Sequence, residues 1–84
     1  MAVTLFNRYI WLADTIYRTG DHGITLEEIN RRWLRSQYNY AGEDYPERSF
    51  HRHKNAIKEI FDIDIECDKR TKCYSIANAE DIKQ

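Results

Sequence analysis

Between Arg48 and Lys58 the chain carries four cations, Arg48, Arg52, Lys54 and Lys58, and no anion. Helical spacing puts Arg48, Arg52, Asn55 and Glu59 on one outward face, flanked by Ser49, His51 and Lys58. An arginine fork bonds guanine O6 and N7 together and an amide such as that of Asn55 pairs with adenine, each worth about 1–3 kcal/mol of discrimination. Ser49, near the start of such a helix, offers a hydroxyl beside free amides, which suits a phosphate. The point charges of Lys54 and Lys58 suit phosphates better than bases, and His51 suits a groove or phosphate contact. A second cationic group, Lys69, Arg70 and Lys72, is placed to follow the backbone or enter a minor groove. The blander alternatives are a solvated face, ion pairs of Arg48 and Arg52 with Glu47 or Glu59, local capping by Ser49, and plain surface at Asn55.

Other chemistry is weaker. His51, His53, Cys67 and Cys73 supply the donor inventory of a zinc site. The spacing does not fit, because two histidines two apart on a helix point about 200° apart and there is no Cys-x-x-Cys. His53 reads as a boundary residue. No Gly-rich phosphate loop, nucleophile elbow or carboxylate pair in an apolar setting occurs. The expectation is no enzyme, no metal and no cofactor. Tyr38, Tyr40 and Tyr45 read as cover for a thin core, with stacking on unpaired bases as the alternative.

The elements that position these residues follow from period. Residues 4–18 form a helix with Leu5, Tyr9, Leu12 and Ile16 on one stripe and Phe6, Ile10, Ala13 and Tyr17 beside it. Trp11 falls outside this arc, next to Arg8 and Thr15, as a candidate partner contact. Thr19–Gly23 is a turn, and Ile24 gives a residue or two of extended chain. Thr25 with Glu28 is a capping box opening a second helix whose buried stripe is Leu26, Ile29, Trp33 and Leu34. Residues 36–45 form a loop. Pro46 suits the first turn of a third helix, about 47–61, with Phe50, Ile57, Ile60 and Phe61 inward. Ile63, Ile65 and Cys67 then alternate with acids, and Tyr74 and Ile76 alternate with Cys73 and Ser75. The hairpin pairs Cys67 with Lys72, Ile65 with Tyr74 and Ile63 with Ile76. That keeps every large apolar side chain on one face, sets the two sulfurs on opposite faces and excludes a disulfide.

Eighty-four residues make one domain with a thin core. Residues 1–77 read as that domain and 78–84 as a polar tail or linker. No apolar run is long enough for a membrane span. The first residues show no secretory leader, so a reducing, cytoplasmic location and free thiols are expected. A net charge of −1 argues at first against nucleic acid. The charges are segregated, however. Glu43, Asp44 and Glu47 precede or begin the cationic helix, and Asp62, Asp64 and Glu66 follow it. Segregation makes a local positive field despite a neutral total.

Three helices and a β-hairpin, mainly α, is the order of a winged helix-turn-helix, whose third helix enters the major groove. The run Pro46-Glu47-Arg48-Ser49-Phe50-His51-Arg52-His53-Lys54-Asn55-Ala56-Ile57, continued by Phe61-Asp62-Ile63-Asp64-Ile65-Glu66-Cys67-Asp68-Lys69-Arg70, resembles the N-terminal domain of bacterial WYL-domain transcriptional regulators. Arg48, Ser49, Phe50 and Arg52 also fill the helix core shared with DeoR-type repressors. Leu5-Phe6-Asn7-Arg8-Tyr9-Ile10-Trp11-Leu12 is similar to the opening of WYL regulators of Bacteroides-type bacteria. The departures are His53 and Lys54 where the pattern has an aspartate and an aliphatic residue, a long loop before the helix, and Thr71-Lys72-Cys73-Tyr74 in place of a glycine-bearing wing. The resemblance implies sequence-specific binding of double-stranded DNA and a sensor domain downstream. A homodimer is a further candidate partner, since related modules often act as dimers. The alternative is a winged helix used for protein contact, with Trp11 and the loop tyrosines as its surface.

Overall fold

The structure, a computed structural model, describes residues 5–78. Helix α1 spans Leu5–Tyr17, α2 Leu26–Leu34 and α3 Glu47–Phe61. A short strand β1, Ile24–Thr25, precedes α2, and β2, Ile65–Asp68, and β3, Cys73–Ile76, follow α3. The tail reading beyond Asn78, the start of the first helix at residue 4 and the leader lie outside the described residues. No helix among the described residues is long and apolar enough to cross a membrane.

Each helix has a local cause. At α2 the Thr25 hydroxyl accepts the Glu28 N–H at 3.1 Å, one half of the expected box. The other half is not made, because the Glu28 carboxylate accepts from Arg31 at 2.6 Å and Arg32 at 3.1 Å. The Arg32 bond, with Arg31 and Arg35 nearby, holds that carboxyl below its usual range. Pro46 lies just outside α3 in extended backbone, and its carbonyl accepts the Phe50 N–H at 2.9 Å. Asp62 ends α3 in the left-handed region, φ 56°, where its N–H reaches Lys58 O at 3.0 Å.

The sheet is antiparallel, ordered β1-β3-β2, so the last strand in sequence is the central one. Gly23 makes the approach of β1 possible. Its φ is +75°, and a Cβ there would stand 2.8 Å from Tyr74 O and 3.0 Å from Cys73 Cβ. The hairpin register differs from expectation by two residues: Ile65 pairs with Ile76, Cys67 with Tyr74 and Asp68 with Cys73. The turn has slid along the chain to residues 69–72. Asp68 Oδ1 caps it by accepting the Arg70 N–H at 2.9 Å, the Lys72 N–H bonds Asp68 O, and Lys72 takes φ 60°. An aspartate favours the position before a turn, and that preference outweighs the apolar count. A shift of two leaves the faces unchanged, and both cysteines are free.

Leu12, Ile16, Ile29, Trp33, Phe50 and Ile57 are fully buried, each stabilising by about 1.5–3 kcal/mol. The expected stripes run too wide at their ends. Leu34 and Ile60 are exposed, as are Leu5, Phe6 and Ile10 at the start of α1. Phe6 keeps a tilted ring contact with Phe61, at 5.6 Å. Trp11 corrects in the other direction. It is half-buried and packs edge-on against Trp33 at 5.0 Å and stacks on Tyr45 at 6.3 Å. Of the loop tyrosines only Tyr45 covers the core; Tyr38 and Tyr40 are exposed.

Candidate nucleic-acid interface

Helix α3 is held on its inner face at three levels. Phe50 meets Tyr74 of β3 at 4.7 Å, His53 meets Tyr9 of α1 at 5.2 Å, and Phe61 meets Phe6 of α1 at 5.6 Å. These contacts fix its rotation and present Arg48, Arg52 and Asn55 outward, all exposed. Ser49, His51 and Lys54 flank them, partly covered. His53 is more deeply placed than a boundary residue. It is buried and bonded through Nδ1 to the Tyr45 hydroxyl.

Among the described residues neither Arg48 nor Arg52 pairs with a carboxylate, and Lys54 does not either. The Glu47 carboxylate faces His51 instead, Nε2 to Oε2 3.5 Å. Elsewhere the exposed arginines of the helices are engaged: Arg18 with Asp14 at 2.8 Å, Arg31 and Arg32 with Glu28. Lys58, an expected phosphate contact, is engaged within the fold. It bonds Asp64 at 2.7 Å and Asp62 at 3.0 Å, and these bonds raise its pKa. It ties the end of α3 to the segment entering β2.

The hairpin brings its cations near the start of α3. Lys69 and Lys72 line an open groove with Thr25, Leu26, Glu27 and Glu47. Arg70 stands exposed at the tip. The hairpin lysines and the first residue of α3, Glu47, therefore line one groove.

The α2–α3 loop is long yet well tied. The Asn39 amide bonds Trp33 O and Glu43 O at 3.1 and 2.9 Å and accepts from the Glu43 N–H at 3.2 Å. Asn30 accepts the Tyr45 N–H at 2.6 Å and donates to Asp44 at 3.0 Å. Sequence reasoning missed this aromatic and amide set behind α3. The one available signal was Trp11, placed beside Arg8 off the main apolar arc. Arg8 lies 4.8 Å over the Trp33 ring and 5.7 Å from that of Tyr45.

The histidine and cysteine donors do not converge: His53 is turned inward, His51 faces Glu47, and Cys67 and Cys73 pair with different residues across the hairpin. No family model matches the chain, and neither a curated protein nor a solved structure does.

Proposed function

We propose that residues 5–78 form a winged helix-turn-helix that binds double-stranded DNA, with α3 in the major groove and the β2–β3 turn against the backbone. The observation that carries this reading is the pair Arg48 and Arg52. They are four apart, exposed and, among the described residues, free of carboxylates, on a helix whose opposite face is fixed by Tyr74, Tyr9 and Phe6. Four residues of helix advance about 6 Å, close to two base-pair steps of about 3.4 Å. Asn55 lies one turn further along. Lys54 and the turn cations Lys69, Arg70 and Lys72 supply phosphate contacts. The resemblance at residues 46–57 supports placing the chain at the N-terminus of a cytoplasmic WYL-type regulator, non-catalytic itself and controlled by a downstream sensor domain, with a second copy as a further partner.

A protein-contact module is the second reading. Burial of Tyr45 and packing of Trp11 remove two of its contact residues. The exposed apolar side chains Leu5, Phe6, Ile10 and Ile60 remain in its favour.

Salt titration on random-sequence and selected duplexes separates the two. DNA binding predicts an affinity falling linearly with log salt, by about −0.9 per phosphate contact. No binding at about 50 mM salt, or binding indifferent to Arg48→Ala combined with Arg52→Ala, refutes the DNA reading.

A further inference from the structure

Behind α3 lies a buried titratable pair that DNA contact does not use. His53 is 7 % exposed and Tyr45 4 %, and the Tyr45 hydroxyl and His53 Nδ1 are hydrogen-bonded. The phenol has no other partner among the described residues, so it is assigned as the donor and the neutral imidazole accepts at Nδ1. The groups facing His53 are Arg8 and Tyr9 from α1, Tyr45 from the loop and Arg52 from α3 itself. None is an acid, so nothing there welcomes a second positive charge. Tyr45 is also where the loop enters α3. Its N–H is held by Asn30, its ring by Trp33 at 5.6 Å, and Pro46 follows directly.

We propose that the Tyr45–His53 bond is a proton-operated latch: neutral His53 holds the loop and the first turns of α3 in place, and protonation releases them. Its effect on DNA affinity rests on the reading of α3 given above. A proton on Nδ1 makes the imidazolium the donor, so the Tyr45 hydroxyl must accept and turn its own hydrogen away, into a buried setting where no acceptor faces it among the described residues. The resulting cation is buried, and the charges of Arg8 and Arg52 oppose it. Burial first, then Arg8 and Arg52, lower the His53 pKa below its ordinary value. The latched state therefore holds at neutral pH and opens on acidification.

The test is an NMR titration of the chain from pH 8 to 5, following the His22, His51 and His53 imidazoles and the backbone amides of residues 43–50. His53 titrates below the ordinary histidine value of about 6.5, and the amides move with its midpoint. In Tyr45→Phe the midpoint shifts, since the bond that couples the ring to the loop is gone. Titration of His53 at or above about pH 6.5, still amides at its midpoint, or an unmoved midpoint in Tyr45→Phe each overturns the latch. Duplex affinity is then measured in a His51→Gln background, which leaves His53 as the one histidine on α3. One pH unit below the His53 midpoint about a tenth of the molecules remain latched, and affinity falls about tenfold. Constant affinity across that midpoint overturns the coupling to DNA. An NMR response as expected with no duplex binding at any pH leaves the latch standing and refutes the DNA reading instead.

Discussion

Arg48 and Arg52 distinguish reading a base from merely meeting a charged polymer. Replacing either by alanine lowers affinity for a preferred duplex by about 1–3 kcal/mol and relaxes preference at one position. Competition binding against single-base variants measures this, and equal loss on every sequence would reassign the arginine to phosphate. Lys58→Ala behaves differently. Its ammonium already serves Asp62 and Asp64, so DNA affinity holds while thermal stability drops slightly. A clear loss of DNA affinity without a drop in melting temperature would contradict this assignment. Lys54→Ala, with no acid partner, weakens all sequences alike and flattens the salt slope by about 0.9.

At the scale of elements, α3 and the hairpin turn each end on a strained residue. Asp62 and Lys72 both take positive φ, which costs a non-glycine residue about 1–3 kcal/mol. Asp62→Gly removes that strain and leaves Lys58 its bond to Asp64, so chemical denaturation should show a gain of about 0.5–1 kcal/mol. A net loss would mean that the Lys58–Asp62 pair outweighs the backbone. Lys72→Gly also stabilises, yet reduces the salt slope by about 0.9 if the lysine meets a phosphate. Stability and binding thus move in opposite directions, which no general loosening of the fold would produce. The bounds of α3 were legible in the sequence because Pro46 and the Phe50, Ile57, Phe61 spacing mark them on a single chain segment. The hairpin register was not, since two registers differing by two residues present the same faces, and only the turn chemistry of Asp68 chooses between them. Nor was the role of Trp11 legible. Its neighbours Trp33 and Tyr45 reach it by tertiary packing, which helical period alone does not contain. The exposed candidates Arg48, Arg52 and Asn55 were legible through period; the engagement of Lys58 was not, because Asp64 approaches from beyond the helix.

For the whole molecule, a net charge of −1 bounds how DNA is held. With Lys58 occupied, six cations of the proposed face remain, Arg48, Arg52, Lys54, Lys69, Arg70 and Lys72, and set a ceiling of about −5 on the salt slope. A steeper slope would require contacts from elsewhere, with Arg31, Arg32 and Arg35 of the α2 end as the next candidates. Stability follows pH with a defined sign. A folded His53 pKa below its unfolded value means that the unfolded chain binds more protons in acid. Stability is complete above about pH 6.5 and declines as pH falls through the folded value. Melting temperatures at pH 7.5 and 5.5 check this, and His53→Gln removes that contribution to the decline. Gly23→Ala is severe, because the added carbon meets backbone of the central strand; a loss above about 2 kcal/mol is expected.

The placement of β3 has a temporal consequence. Among the described residues the strand that joins β1 to β2 comes last in sequence, so during synthesis α1, α2 and α3 wait without this sheet until residue 76 has emerged. The fold then closes in one late event that joins Ile24, near the first third of the chain, to Tyr74. Any chain stopped before Cys73 leaves β1 and β2 without their common neighbour, and Phe50 without the ring that orients α3. A copy without β3 therefore lacks the contact that sets the rotation of α3.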